Sequence, residues 1–161
     1  MADFCYMDSP VGRLTLAADS GAMIGLWLEN QRYYAAGLPE TARENPDAAP
    51  FPLVREWLSR YFAGENPDPC VLPLAPRGTD FQRRVWQALR QIPYGQTAAY
   101  GQLARALHSS ARAVGGAAGR NPISILIPCH RLLGADGSLT GYAGGPENKK
   151  RLLLLEGAIT E

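Results

Sequence analysis

The chain has 161 residues, 46% of them hydrophobic, and a formal net charge of +1 at pH 7. This length and composition are those of an ordinary globular protein with one or two small domains. The near-neutral charge excludes binding to nucleic acid through an overall basic excess, so such a partner would require positive charge concentrated on one face. With no apolar run long enough for a membrane span or an export signal, and with cysteines that show no paired spacing, we expect a cytoplasmic protein with no membrane partner.

The first half of the chain predicts an antiparallel sheet followed by one helix. Residues 4–6, 14–17 and 23–28 have strand-like composition and are separated by turn residues. Apolar residues then recur at helical spacing from Leu53 to Phe62, and Gly64 should end that helix. Four prolines within residues 65–77 indicate a linker. We therefore expect an N-terminal α/β domain over residues 1–76 and a C-terminal domain over residues 77–161.

The second half predicts helices. Thr79 can cap a first helix, Thr97 a second, and Ser109 or Ser110 a third that covers residues 111–119. The short break between the second and third helices is typical of a helix-turn-helix. The expected fold class is α+β, with a small N-terminal domain of antiparallel sheet and helix before a mainly helical C-terminal domain.

Cys129 is the residue that most strongly suggests chemistry. Residues 124–127 predict a short buried strand that Pro128 ends, which would place Cys129 at the end of a strand. A thiolate attacks carbon readily, and a thiol needs a basic or cationic neighbour to ionise near neutral pH. His130 supplies that neighbour, directly or through a water. The alternative is a small apolar core thiol, because free cysteine is among the most buried residue types.

The other two cysteines, Cys5 and Cys70, do not predict a metal site. The sequence has no C-x-x-C or H-x-x-x-H pair, and both histidines, His108 and His130, lie in the C-terminal half. A tetrahedral site cannot be assembled from the first half of the chain. We expect no metal, and we interpret Cys5 and Cys70 as core or surface thiols.

The segments around Cys129 resemble those of the O6-alkylguanine-DNA alkyltransferases, also called methylated-DNA–protein-cysteine methyltransferases. These proteins move an alkyl group from O6 of guanine onto their own cysteine. The resemblance is dense from about Gly78 to Gly157 and looser before it. It rests on Arg-Ala-Val-Gly at 112–115, Asn-Pro at 121–122, Pro-Cys-His-Arg at 128–131, Gly-Tyr-Ala-Gly-Gly at 141–145 and Leu-Glu-Gly at 155–157.

The resemblance implies five catalytic residues. Cys129 would accept the alkyl group, His130 would take the thiol proton through a water, and Glu156 would orient His130 and balance its charge. Asn121 would bridge the recognition helix to the active-site segment, although Asn-Pro is also a loop signal. Tyr100 would donate a proton or hydrogen bond to the departing guanine, although it also reads as a packed tyrosine. Because a thioether has no easy hydrolytic route back, the family implies one turnover per molecule and no cofactor.

The resemblance also implies how DNA would be bound. The second helix of the helix-turn-helix would enter the minor groove, and the damaged nucleotide would rotate out of the stack. Arg112 would fill the vacated space, although a phosphate contact is the commoner fate of a DNA-binding arginine. Arginines at 83, 84, 105, 112, 120 and 131 would supply positive charge. The implied DNA-binding residues are Tyr100, Ala111, Arg112, Gly115 and Arg120, and the implied substrate-pocket residues are Ser124, Leu132, Tyr142, Ala143 and Gly144.

The expected partner is double-stranded DNA that carries O6-alkylguanine, with O4-alkylthymine and bulky alkyl groups left open. Ser124 bears on bulky groups because some relatives carry proline there. We expect a monomer without an obligate protein partner. Two other function classes remain. A cysteine hydrolase would use Cys129, His130 and Glu156 but turn over repeatedly, and the chain has no evident oxyanion motif. A non-enzymatic DNA-binding regulator would leave Cys129 dispensable.

Overall fold

The N-terminal half is built on a four-stranded sheet. The structure, a computed structural model, describes residues 1–139 and 141–160. The strands β1 (Ala2–Met7), β2 (Leu14–Asp19) and β3 (Ala22–Leu28) pair antiparallel as predicted. The short strand β4 (Arg43–Glu44) adds in parallel to β1, giving the order β3-β2-β1-β4. β4 was not predicted, because two polar residues in a long loop carry no strand pattern.

Both faces of this sheet are covered, which explains why β2 is buried along nearly all of its length. On one face, Leu14 and Leu16 join the main core, to which helix α1 (Phe51–Phe62) also contributes. On the other face, Ala17 packs in a smaller cluster with Trp27. A Cβ at Gly25 would collide with the Trp27 ring, so this close packing requires glycine.

The C-terminal half is mainly helical, and the α+β class is confirmed. Its described α-helices are α2 (Asp80–Leu89), α3 (Tyr100–Ala106), α4 (Ala111–Gly119) and α5 (Pro146–Leu155). Thr79 caps α2 in a reciprocal capping box with Gln82. Ser110 caps α4 by accepting a hydrogen bond from the Ala113 N–H. α3 and α4 pack against each other across a short turn, as a helix-turn-helix requires.

The prediction that Thr97 caps α3 is wrong. The helix begins three residues later, at Tyr100, and the residue before it is Ala99. Ala98 and Ala99 are extended and form the strand β5 (Ala98–Ala99), which pairs in parallel with β6 (Leu132–Leu133). This pairing joins segments distant in sequence, so the local pattern at Thr97 could not reveal it.

The edge of β3 holds the two halves of the chain together. Near the start of the strand, Met23 exchanges backbone hydrogen bonds with Pro73 and Ala75. Further along, the Leu26 N–H donates to the Pro122 carbonyl, and the Ser124 N–H donates to the Leu26 carbonyl. The segment that leads to Cys129 is therefore attached directly to the N-terminal sheet.

The three cysteines are all free, with Cys5 and Cys129 buried and Cys70 exposed. Within residues 1–139 and 141–160, no cluster of three or more histidine, cysteine, aspartate or glutamate side chains could hold a metal ion. In the same part of the chain, no helix combines the length and apolar character needed to cross a membrane.

Candidate active site

Cys129 opens a short 3-10 turn, Cys129–Arg131, and does not lie at the end of a strand. The residues before it fold back on themselves, because the Ile127 N–H donates to the Ile123 carbonyl and Ile125 has a φ of +72°. The strand predicted over residues 124–127 is therefore wrong. The run is buried, as its composition indicates, but its backbone groups are paired within the turn and with β3. We call residues 123–131 the active-site turn.

Asn121 fixes the active-site turn through its side-chain amide. Nδ2 donates to the Ile127 carbonyl at 2.8 Å and to the Cys129 sulfur at 3.2 Å. Oδ1 accepts from the Ile123 N–H at 3.0 Å. Because Asn121 follows α4 almost immediately, it links the helix-turn-helix to the thiol. A hydrogen bond donated to sulfur favours the thiolate over the thiol.

His130 and Glu156 form a buried pair, with Nε2 and Oε2 2.7 Å apart. Arg131 donates to both Glu156 oxygens, from Nε at 2.8 Å and Nη2 at 3.1 Å. Burial opposes ionisation of Glu156, but the hydrogen bonds donated by His130 and Arg131, together with the charge of Arg131, outweigh it and lower the pKa from 4.5 to about 2. Because an ionised carboxylate only accepts, Nε2 of His130 must carry a proton.

The other His130 nitrogen is the candidate base. Nδ1 is buried and has no hydrogen-bond partner among the residues that the structure describes. Burial lowers the pKa of His130 against the opposing effect of Glu156, so the ring is neutral at pH 7 and Nδ1 presents a lone pair. Burial likewise raises the pKa of the Cys129 thiol, although Asn121 and Lys149 act to lower it. The resting site therefore holds a neutral thiol beside a neutral base.

Tyr100 lies half-buried at the start of α3, between α4 and the loop that follows β6. A Cβ at Gly115 would lie 3.8 Å from the Tyr100 ring, whereas one at Gly141 would approach the hydroxyl to 2.8 Å. A side chain at Gly141 would therefore displace the Tyr100 hydroxyl, and the φ of +88° there also favours glycine, whereas Gly115 has ordinary space around it. Burial, and then the charge of Cys129, raise the pKa of Tyr100, so its hydroxyl keeps its proton near neutral pH.

Three of the predicted pocket residues lie close to these catalytic candidates. The Tyr142 ring meets the His130 ring edge-on, with centroids 6.4 Å apart. A Cβ at Gly144 would lie 2.6 Å from the Tyr142 ring, so glycine allows this loop to pack closely. Leu132 is fully buried in β6.

The other two predicted pocket residues contact the N-terminal half. The Ser124 hydroxyl donates to Oε1 of Gln31 at 3.0 Å, so it points toward the loop after β3. The Ala143 carbonyl accepts a hydrogen bond from the Arg32 N–H at 3.0 Å. One lone pair of that carbonyl is therefore already occupied.

Apart from Tyr100 on α3, the predicted DNA-binding residues lie on α4 or directly after it. Ala111 and Arg112 are exposed in its first turn. Arg112 makes no hydrogen bond or ion pair within the described part of the chain. Arg120, at the other end, lies over the ring of Tyr33 with its guanidinium carbon 4.1 Å from the centroid. The prediction that Arg131 contributes to a positive face is wrong, because its ion pair with Glu156 holds it in the interior.

Two models of one protein family match the two halves of this chain. The model for the DNA binding domain of 6-O-methylguanine DNA methyltransferase matches residues 80–158, and the model for its ribonuclease-like domain matches residues 4–76. The chain belongs to the 6-O-methylguanine DNA methyltransferase family. The family expected from the segments around Cys129 is therefore confirmed, and with it the class of enzyme.

Individual members of the methyltransferase family are similar over nearly the whole chain. The methylated-DNA–protein-cysteine methyltransferase of Haemophilus influenzae is 46% identical over 156 residues, which are 95% of this chain and 85% of the relative. The corresponding protein of Salmonella typhimurium is 48% identical over 134 residues, 82% of this chain and 75% of the relative. The structure of Mycobacterium tuberculosis OGT in complex with DNA has a TM-score of 0.86 and 43% identity, covering 97% of this chain and 93% of that chain.

Lys149 is a functional candidate in this methyltransferase that the sequence analysis missed. It is fully buried on α5, with Nζ 5.8 Å from the centroid of the Tyr100 ring. Burial lowers its pKa to about 8, while the charge of Cys129 acts in the opposite direction. A signal was present in the sequence: Lys149 precedes Leu152 and Leu153 by three and four residues, which places it on the apolar side of the helix.

We expect Glu156→Gln to be less stable than the wild type at pH 6, with the difference shrinking as pH falls from about 4.5 toward about 2. The folded-state pKa of Glu156 is depressed, so its contribution is present above the unfolded pKa and is lost as the carboxylate is protonated. Urea unfolding at a series of pH values measures this. Glu147→Gln removes an exposed carboxylate of the same helix as the control, and a pH-independent difference for Glu156→Gln would contradict the expectation.

We expect Lys149→Met to unfold at a higher urea concentration at pH 7, because a buried ammonium group is removed. Methyl transfer should slow about tenfold, because the variant loses the attraction between Lys149 and the Cys129 thiolate, which we take as about 1.4 kcal/mol. The difference in unfolding free energy between Lys149→Met and the wild type should narrow between about pH 8 and 10.5. In this range the unfolded wild type still holds the proton of Lys149, whereas the folded wild type has lost it. Lys150→Met, on the exposed side of α5, is the control. A variant that loses both stability and activity would argue for an ordinary core role.

Proposed function

We propose that this protein repairs double-stranded DNA by moving the alkyl group of O6-alkylguanine onto Cys129, once per protein molecule. The arrangement of Cys129 and His130 carries the proposal: a thiol held by Asn121 lies one residue from an imidazole whose Nδ1 can accept a proton. Family membership supplies the substrate class. The structure of the Mycobacterium tuberculosis relative in complex with DNA supports DNA as the partner.

The first step is removal of the thiol proton. Because His130 Nδ1 makes no direct hydrogen bond to Cys129 within the described residues, the proton passes through a water, as the family resemblance implies. The imidazolium that forms is stabilised by Glu156, which stays ionised because Arg131 holds it. Asn121 and Lys149 stabilise the thiolate. A buried base with an ionised partner is suited to a proton transfer that occurs only when substrate is bound.

The second step is the transfer of the alkyl group. The Cys129 thiolate attacks the alkyl carbon in line with the bond to O6; the C–S bond forms as the C–O bond breaks, and guanine leaves with the electron pair. Tyr100 relieves the developing charge on guanine by donating a proton or a hydrogen bond. The product thioether has no easy hydrolytic route back to a thiol, so the protein is consumed and no cofactor is required.

The DNA is bound through α4, with Arg112 as the residue that enters the base stack. Arg112 is exposed at the helix start with no intramolecular partner in the described residues, which suits a contact made only in the complex. Ala111 and Gly115 keep the surface of α4 small, as a narrow minor groove requires. The base would enter between Tyr100 and the pocket residues Ser124, Leu132, Tyr142, Ala143 and Gly144, while Arg120 contacts the backbone.

The chain divides into domains of residues 1–76 and 77–161. The two family models support this boundary, because one ends at residue 76 and the other begins at residue 80. Because a thiol nucleophile requires a reducing compartment, we place the protein in the cytoplasm. We also propose that the free protein is a monomer. O4-alkylthymine and alkyl groups larger than methyl are further substrates to test. Ser124 bears on the larger alkyl groups.

The decisive test is intact-protein mass spectrometry after the protein is mixed with excess duplex DNA that contains one O6-methylguanine. We expect one added methyl group per chain, mapped to Cys129, with the exposed Cys70 unmodified. Cys129→Ser should lose transfer by at least about a thousandfold while DNA binding is retained, because a serine hydroxyl does not ionise near neutral pH. Cys70→Ser, the control, should react normally. Repaired DNA with an unmodified protein would point instead to a multiple-turnover hydrolase.

Arg112→Ala should slow repair of duplex DNA about tenfold or more and leave transfer from free O6-methylguanine base unchanged, because the free base needs no extrusion. Single-turnover rates on both substrates measure this. The salt dependence of DNA binding distinguishes insertion into the base stack from a phosphate contact. Loss of a phosphate contact reduces the slope of log K against log salt concentration by about one. Arg105→Ala, on α3, provides the comparison. A reduced slope with an unchanged transfer rate would make Arg112 a phosphate contact.

A further inference from the structure

Tyr61 of the N-terminal half reaches into the catalytic network of the C-terminal half. It lies near the end of α1, is almost completely buried, and donates its hydroxyl proton to Oε2 of Glu156 at 2.5 Å. The two residues are 95 positions apart in the chain. No sequence motif links them, and the reaction scheme above does not use Tyr61.

The oxygen that Tyr61 contacts is the same one that His130 contacts. Oε2 of Glu156 accepts from the Tyr61 hydroxyl, from His130 Nε2 at 2.7 Å and from Arg131 Nη2 at 3.1 Å. Oε1 accepts from Arg131 Nε at 2.8 Å and from the Gly95 N–H at 3.4 Å. A carboxylate oxygen has two lone pairs, so three donors on Oε2 compete for its electron density.

The hydroxyl of Tyr61 is a donor under all working conditions. Burial, and then the charge of Glu156, raise the pKa of Tyr61 far above its ordinary value, and Glu156 stays ionised. The ring is held independently of the hydroxyl, stacked on Trp57 with centroids 5.5 Å apart and with the rings of Phe62 and Tyr94 packed at steep angles to it. Removing only the hydroxyl therefore leaves the packing intact, and Oε2 keeps two donors.

We propose that Tyr61 is a positioning residue for alkyl transfer: it draws electron density from Glu156, fixes that carboxylate, and so limits how strongly Glu156 holds the protonated form of His130. The kinetic part of this proposal rests on the proposed function. Through Tyr61, the N-terminal half acts on His130 indirectly, by way of Glu156.

The physical consequence has a definite sign. Without the Tyr61 hydroxyl, Glu156 accepts more strongly from His130 and stabilises the imidazolium, so the pKa of His130 rises. The other groups that face His130 and Glu156 stay in place, and they act equally in the wild type and the variant. These groups are Arg131, Lys149, Tyr94 and Tyr142.

The test is an NMR titration of the imidazole carbons in the wild type, Tyr61→Phe and Tyr94→Phe. The chain has two histidines, so His108 serves as an internal reference for His130. Tyr94→Phe is the matched control, because Tyr94 packs on Tyr61 but its hydroxyl donates to the Leu155 carbonyl at 3.5 Å. We expect the pKa of His130 to rise by about half a unit or more in Tyr61→Phe alone. An unchanged or lower pKa would overturn the proposal.

Single-turnover transfer rates across pH provide the second readout. We expect the acidic limb of the rate profile to move to higher pH in Tyr61→Phe, by the shift that NMR measures, and to stay in place in Tyr94→Phe. A uniformly slower rate with an unmoved limb would assign Tyr61 a merely structural role and overturn the proposal. If the wild type transfers no alkyl group, the proposed function fails, and the NMR titration still decides whether Tyr61 controls His130.

Discussion

The burial of one negative charge organises this molecule. Glu156 has almost no solvent contact, and an unpaired carboxylate there would cost several kcal/mol. The fold meets this cost with donors from three separate places: Tyr61 on α1, Gly95 in the loop after α2, and His130 with Arg131 in the active-site turn. Each donor requires its own element to be in position. The charge that pairs with His130, the proposed base, therefore also specifies how the two halves of the chain are assembled.

The N-terminal sheet contributes to the site as a scaffold. The edge of β3 binds the backbone at Pro122 and Ser124, where the active-site turn begins. The loop after β3 reinforces this contact, since Gln31 accepts from the Ser124 hydroxyl and Arg32 donates to the Ala143 carbonyl. An open strand edge is normally a liability for aggregation. Here Met23 pairs with Pro73 and Ala75, and Leu26 pairs with the segment that leads to Cys129. The hydrogen bonds at Leu26 therefore cover part of the sheet edge and also position the segment of the proposed nucleophile.

The sequence predicted those features whose causes are local. The strand-forming composition of β1 to β3, the apolar stripe of α1 and the caps at Thr79 and Ser110 all act within a few residues, and these elements form as expected. The errors came from long-range pairing. Thr97 was misread because Ala98 and Ala99 pair with β6, and residues 124–127 form a turn because β3 and Asn121 satisfy their backbone groups. The burial of residues 124–127 was predicted correctly, whereas the hydrogen-bond partners of the two segments could not be predicted.

The same contrast between local motifs and long-range contacts applies to the residues of the candidate site. Cys129, His130 and Glu156 lie in motifs that can be read directly, but Lys149 and Tyr61 have no motif and acquire a role only through contacts made in the fold. The order of these contacts along the chain has a consequence for synthesis. During translation the N-terminal half emerges first, so Tyr61 is synthesised before Cys129. Glu156 follows His130 by 26 residues. A growing chain that already carries the Cys129 thiol therefore still lacks the carboxylate that pairs with His130, and the two can pair only after α5 and the residue that follows it have been made.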